Sequence, residues 1–449
     1  MRYAIVGIAI LALATVISCG RPEPVYISGD PEAPDEQSSL PGPDPSVHTG
    51  TDHSPRVRVL ILETSDRIRV EVDGAQVEAA GSDVPGKARS QTKADIRGRL
   101  DITRNGKEIK VAGGGRTIAR SPWIMIRPEP GSDFRIEGKI YRGALLLRNM
   151  GRRIQAINVI GVDDYIKGVL PSEIGYLRKG QYEAYRVQAI AARSYAMGKL
   201  EEKKNSPYDL KATIMDQVYR GVGGENTEAS AAVDETRGLV GLWNGRVITA
   251  YYSSCCGGHT ADIRDGWPWK ADFPYLYGSR DSEGRRGKSF CRDSRHFRWE
   301  HSWDGRALFQ ILRKTLSAEL GNRVAPFSRL VDIKVDGLSK SGRVKALVFV
   351  TDRGRYRVEG DRLRWVMRPE SASGSILRST LFKMKVTRSG GRVASVSLKG
   401  AGNGHGTGMC QSGAIKMAEE GYDFREILLH YYPKITIERV YQAERGMDR

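Results

Sequence analysis

From Pro55 onward the chain alternates polar and apolar residues with a period of two, first in Arg56-Val57-Arg58-Val59-Leu60-Ile61-Leu62 and again in Arg67-Ile68-Arg69-Val70-Glu71-Val72. That period places one face in a core and one in water, so both stretches predict half-buried strands. Asn105-Gly106, between Asp101-Ile102-Thr103-Arg104 and Glu108-Ile109-Lys110-Val111, predicts a hairpin whose two turn residues both take positive φ. The strand pattern continues over Ile136 to Val162, and residues 56 to 160 therefore read as mostly β. The pattern changes at Tyr182 to Lys203, where Ala184, Ala189, Ala191, Ala192 and Ala196 make a strong helix former with little bulk to keep neighbours away. A second helix is expected over Asn226 to Thr236, followed by strand-like Gly238 to Tyr252. Two hairpins follow, Val331–Val335 with Val344–Val350 around Ser341-Gly342, and Met384–Val386 with Val393–Leu398 around Ser389-Gly390-Gly391. A last helix, Gln411 to Glu420, ends at Gly421, where a left-handed cap residue is wanted. The expected class is α+β, with mixed β-rich lobes around an alanine-rich helix.

The amino terminus changes the picture of where such a fold would work. Met1-Arg2-Tyr3 precedes an apolar run, Ala4 to Ile17, of signal-peptide length and too short for a comfortable membrane span. The run closes in Val16-Ile17-Ser18-Cys19, which resembles a bacterial lipobox and implies export with a lipid anchor on Cys19. Plain secretion with cleavage near Ala12 or Ala14 is the alternative. Gly20 is not the aspartate that holds many lipoproteins at an inner membrane, so an outer-membrane destination stays open beside the periplasmic face. Residues 20–55, rich in Pro, Ser, Asp, Gly and Glu, read as a disordered tether.

The chain has 449 residues and a formal charge of +18. The part after the tether is long enough for two or three lobes. Its basic residues are spread out, with no zinc-finger, helix-turn-helix or RNA-binding signature, which argues against nucleic acid. Cell-wall polymers and anionic lipids attract a basic surface by the same long-range force. Of five cysteines, Cys19 is assigned to the anchor, and the four left make no disulfide scaffold.

Several residues invite a chemical reading. Glu173 lies in Gly168-Val169-Leu170-Pro171-Ser172-Glu173-Ile174-Gly175, between a strand and the alanine-rich helix. Its apolar setting would raise a carboxyl pKa and keep it protonated as a general acid; a solvated loop residue or helix cap is the plainer reading. Arg186 and Arg193 are seven residues apart and share a helix face, as do Gln188 and Tyr195. Surface ion pairs would also account for the arginines. Cys256, His259, Cys291 and His296 offer sulfur and imidazole ligands for a structural zinc, and a Cys256–Cys291 bridge is the competing expectation. The Gly402 to Gly408 loop with His405 lacks the lysine and hydroxyl of a phosphate loop, and its glycines allow either a tight backbone beside a cleft or a purely structural turn. Trp267, Trp269 and Tyr275 form either a sugar-stacking wall or local packing.

Val169-Leu170-Pro171-Ser172-Glu173 followed by Val187-Gln188-Ala189-Ile190-Ala191-Ala192-Arg193-Ser194-Tyr195-Ala196 resembles the signature of the SpoIID sporulation proteins and LytB amidase enhancers. The likeness extends through Asp216-Gln217-Val218-Tyr219-Arg220-Gly221, Thr236-Arg237-Gly238, Ala250 to Thr260 and Gly404 to Ala414. The resemblance implies that Glu173 is the acid of a lytic transglycosylase, cleaving the bond from N-acetylmuramic acid to N-acetylglucosamine in peptide-free glycan and leaving 1,6-anhydro ends. It implies cleft roles for Gln188 and Arg193, with Arg186 where a lysine is usual, and Tyr195 and His405 join them as expected substrate contacts. A non-enzymatic amidase enhancer or wall-binding protein is the alternative the same motifs allow. Expected partners are glycan strands, a cell-wall amidase and the membrane through the lipid anchor. No cofactor is required by this chemistry, and a structural zinc occurs in some relatives, although Tyr252 stands here where they often have histidine. Cys410 stands where relatives carry serine and is assigned no catalytic role. The expected organisation is a signal peptide over 1–19, the linker over 20–55, a β-rich region over 56–135, and a catalytic or glycan-binding domain over 136–445 with a β-hairpin insertion at 325–400.

Overall fold

The computed structural model describes residues 24–25, 54–65, 67–79, 95–284, 287–369 and 375–442. The expected signal peptide, the expected lipid anchor at Cys19 and most of the expected linker lie outside the described residues. Of residues 20–55, only Pro24–Val25, which pair in parallel with Arg355-Tyr356, and Ser54-Pro55 are described.

Both alternating stretches are strands, Arg56–Thr64 and Ile68–Ala79, and Ile68, Val70 and Val72 face inward while the residues between them face water. They belong to one eleven-stranded sheet that runs to Gly161 and is completed by Leu210–Lys211, pairing in parallel with the first strand. The hairpin after Asp95–Asn105 is present, but its turn differs from the expected one. Asn105 pairs with Glu108, leaving Gly106-Lys107 as the two-residue loop. Gly106 takes φ 60°, and neither Asn105 nor Lys107 has positive φ. A glycine at the first loop position suffices where only that residue must be left-handed. Strand Ile154–Gly161 is buried almost throughout. Its two faces meet different apolar clusters, one containing Ile154 and Ile160 and the other Ile157 and Val159, which is why its sequence runs apolar without alternation.

That strand does not continue past Gly161: the chain turns directly into a helix, Val162–Ile174. Asp163 and Asp164 occupy its first turn, where they complement the helix dipole, and Gly175 closes it with φ 81°. The alanine-rich helix, Tyr182–Glu202, is buried at every position from Val187 to Ala196, as expected of a helix inside a core. Helix Thr227–Glu235 is capped by the Asn226 side chain accepting from Ala229 N–H, and Gln411–Glu419 forms as expected. Among the described residues, two helices of eight residues or more besides Val162–Ile174 are not predicted by the sequence pattern. Gly305–Leu320 buries Leu308, Leu312, Leu316 and Leu320, and Asp304 caps it. Phe424–Tyr431 starts with a capping box between Asp423 and Glu426.

One core, reaching from Val57 to Ile435, joins the large sheet to all of these helices except Gly305–Leu320. A second core lies entirely within Trp299 to Leu398. There the two expected hairpins, Leu330–Leu338 with Val344–Thr351 and Phe382–Ser389 with Arg392–Gly400, pack with helix Gly305–Leu320. The chain then returns through the glycine-rich loop, and Met409–Cys410 pairs in parallel with Tyr252–Ser253. The molecule is of the α+β class. No helix among the described residues is long and apolar enough to cross a membrane.

Candidate functional site

Glu173 occupies the last turn of helix Val162–Ile174, not a loop between strand and helix. Gly168, one turn earlier, explains how the facing segment comes close. A Cβ there would lie 2.6 Å from the Tyr219 ring and 2.9 Å from Gly221 O, so only glycine lets residues 217–221 settle on the helix. The approach places Val218 N–H 2.6 Å from Glu173 Oε1. The Gln411 amide donates to the same carboxylate. Gln411 Nε2 also donates to Gln188 Oε1 at 3.3 Å, which ties the carboxylate to the middle of the alanine-rich helix.

Burial raises the Glu173 pKa to about 7, against the opposing pull of the Val218 N–H and the Gln411 amide. A carboxyl poised there exchanges its proton readily near neutrality and can give it up and take it back. Beside it, Tyr165 Oη donates to Gln217 Oε1 (3.1 Å) and Gln217 Nε2 donates to Tyr252 Oη (2.8 Å). Both tyrosine hydroxyls feel the negative charge of Glu173, though burial dominates in holding them protonated. Asp216, on the facing segment, accepts from Tyr195 Oη and from Lys211 N–H, both at 2.9 Å, so each of its oxygens is engaged. Tyr176, Ile214 and Met215, on the two segments that meet at Glu173, expose apolar side chains to solvent.

The other expected site residues divide. Gln188 is fully buried in the Glu173 network, and its Nε2 has no hydrogen-bond partner. Tyr195 adjoins that network, packing edge-on against Tyr252. Arg193 is fully buried, with its Nε 2.8 Å from Asp163 Oδ1 and its other nitrogens donating to Leu239 O and Val233 O, both at 3.1 Å. Those bonds make it a strut of the core. Arg186 pairs with Glu183 and Glu235 and covers the Tyr182 ring, away from Glu173. His405 packs on Trp267 and Tyr251, while its Nδ1 accepts from Thr407 N–H (3.1 Å) and the ring also bonds the Tyr252 backbone. Burial lowers its pKa to about 4, so it is neutral, and no contact joins it to Glu173. Trp267, Trp269 and Tyr275 pack against Tyr251, Arg362 and Trp243 respectively.

The cysteine region also differs from expectation. Cys256, Asp281, Cys291 and Cys410 bring ligand atoms within 4.8 Å of one another, all buried, and could hold a metal ion. His259 and His296 are outside this group. His259 Nδ1 lies 2.7 Å from Thr260 O, and His296 Nε2 accepts from Arg295. Cys256 Sγ and Cys291 Sγ lie 3.7 Å apart and both are free thiols.

Gln411, Gln217, Val218 and Tyr252 were not singled out as site residues, yet each sits inside a motif the sequence displays. Membership of those motifs was the available signal, and Val218 acts through its backbone N–H, which its side chain does not advertise. Asp281 had no local signal.

Residues 150–243 match a family model described as Stage II sporulation protein, SpoIID, and residues 285–408 match a domain of unknown function. An uncharacterized protein of Brachyspira hyodysenteriae is 30% identical over 305 residues, covering 68% of this chain and 74% of that protein. An amidase enhancer of Bacillus subtilis is 28% identical over 61% of this chain and 40% of its own length. A stage II sporulation protein D of Bacillus amyloliquefaciens is 24% identical over 63% of this chain and 75% of its own.

Proposed function

The chain belongs to the SpoIID/LytB family, and from that premise we propose that it is a lytic transglycosylase acting on the glycan strands of peptidoglycan. The observation that carries the reading is Glu173, a single carboxyl with a pKa near neutrality, held by Val218 N–H and Gln411. In its neutral form it protonates the glycosidic oxygen as the bond from N-acetylmuramic acid C1 breaks. As carboxylate it takes the proton of the C6 hydroxyl of the same sugar, whose oxygen closes on C1. An ordinary glycosidase needs a second carboxylate to direct water or form a covalent bond. Here the neighbouring Asp216 is fully engaged, and the substrate hydroxyl supplies the nucleophile by proximity. Gln188 and Gln411 position the acid, and Tyr176, Ile214 and Met215 offer apolar surface to the sugar faces.

The second reading, an enhancer of a cell-wall amidase, is favoured by the relative that carries that name. In either role the chain works outside the cytoplasm, anchored through lipid on Cys19. The full chain and Glu173→Gln, each incubated with peptide-free glycan strands, separate the two. Shortening by the parent with a loss of about 100-fold or more in the variant is the expected result. Intact strands with both proteins, together with equal stimulation of a purified amidase by both, would establish the enhancer instead.

A further inference from the structure

Four cysteines and one aspartate converge where the glycine-rich loop returns to the first core. Cys256 follows strand Tyr252–Ser253, Cys291 lies in a short helical turn, Phe290–Asp293, and Cys410 ends the strand beside Tyr252–Ser253. Asp281 is fully buried and has no lysine or arginine partner among the described residues. Its Oδ1 accepts from Tyr431 Oη at 2.6 Å and its Oδ2 from Cys291 N–H at 3.1 Å. The sulfurs receive backbone donors as well, Cys256 N–H to Cys410 Sγ at 3.2 Å and Gly258 N–H to Cys256 Sγ at 3.4 Å. A buried carboxyl group without a cation, packed on thiols that already accept N–H bonds, is a cluster of metal-ligating groups that lacks its positive centre.

A second observation points the same way. Arg343, 1% exposed, reaches from the second lobe and donates to Cys256 O and His259 O, both at 2.9 Å. Its Nε has no partner, and among the described residues no carboxylate stands at ion-pair distance. Asp265 lies in its field but is hydrogen-bonded to Ser341. The guanidinium packs on Gly406, where a Cβ would lie 2.1 Å from its Nη2. A buried cation held beside these sulfurs by backbone carbonyls is balanced if the sulfurs are thiolates. Three thiolates and a carboxylate carry four negative charges, and one guanidinium with one dication would offset three of them.

We propose that Cys256, Asp281, Cys291 and Cys410 form a closed tetrahedral site for one zinc ion, with Arg343 as its outer counter-charge. Zinc with sulfur ligands at about 2.3 Å spans sulfur–sulfur edges of about 3.8 Å in a tetrahedron. The 3.7 Å between Cys256 and Cys291 fits such an edge. The thiolate-rich set selects zinc over magnesium or calcium, and the hydrogen bonds on Asp281 fix the carboxylate as outer-shell partners do. Cys255 bonds to the sulfurs of Cys291 and Cys410 from outside this set. Binding releases the thiol protons to solvent and changes no oxidation state. The ion staples three segments far apart in sequence, and the residue after Cys410 is Gln411, which holds Glu173.

The test is elemental analysis of the full chain purified without chelator, with peptide mapping under non-reducing conditions. About one zinc per chain is expected, with Cys256, Cys291 and Cys410 protected from alkylation until a chelator is added. Cobalt substituted for zinc should give the intense sulfur-to-metal absorption and the visible bands of a tetrahedral site. Asp281→Asn and Cys291→Ser should lose most of the metal, while Cys255→Ser keeps it. A metal-free chain that binds no zinc on titration, a disulfide joining any two of the three cysteines, or loss of metal in Cys255→Ser equal to that in Cys291→Ser would overturn the assignment.

Discussion

At the scale of the residue, Glu173 is a carboxyl kept where it is uncomfortable. Its folded-state pKa of about 7 lies above the ordinary 4.5, so the folded protein holds that proton more tightly than the unfolded chain. The stability of the neutral form is fully present below about pH 4.5 and is lost as pH rises through about 7. Glu173→Gln should therefore match the parent in acid and become the more stable protein above neutrality, by up to about 3 kcal/mol. Thermal melts across pH check this, and a difference in Tm that ignores pH would contradict it. Gln411 donates to the carboxylate and lowers its pKa, so Gln411→Ala should move the corresponding limb of the pH–rate profile upward by about half a unit or more. An unmoved limb would remove Gln411 from the site. Sequence could propose Glu173 and Gln188, because both stand in recognisable motifs. It could not tell that Arg193 is consumed in the core, since an arginine spaced to share a helix face looks the same whether its partner is a sugar or Asp163.

At the scale of the element, the helix carrying Glu173 is positioned from both ends. Asp163 in its first turn takes Arg193 from the alanine-rich helix, Ser54 Oγ at 3.2 Å and Tyr441 Oη at 2.9 Å, which joins segments up to 278 residues away, on either side of it in the chain, to one carboxylate. Removing one member of a buried pair strands the other, and Asp163→Asn should cost about 3–5 kcal/mol, read as a lowered denaturation midpoint. A neutral result would show that Arg193 is not held as described. The alternation of strands, the alanine-rich helix and the hairpins were legible because each rests on a local period. Val162–Ile174 does not show as a helix in the sequence because Pro171 and its flanking glycines look like turn punctuation, whereas Pro171 stands in the last turn and Gly175 is its stop. Gly305–Leu320 shows its leucines at i, i+4 spacing, but charged residues surround them and the pattern was passed over.

At the scale of the molecule, two cores are joined by strand Trp299–Asp304, the glycine-rich loop and Arg343, which leaves the second lobe to lie beside the cysteines of the first. Such a junction is invisible to any local sequence pattern, because its members come from distant segments. If zinc holds it, chelation should lower Tm by several degrees and slow glycan cleavage through the displacement of Gln411, and zinc should restore both. A net charge of +18 gives long-range attraction to anionic wall polymers, and binding to walls bearing them should weaken several-fold from low to high salt. The central claim concerns which oxygen attacks the sugar. Cleavage of peptide-free strands in heavy-oxygen water, read by mass spectrometry of the new ends, answers it directly: anhydro ends free of the label are predicted, and labelled reducing ends would show that water, not the C6 hydroxyl, is the nucleophile.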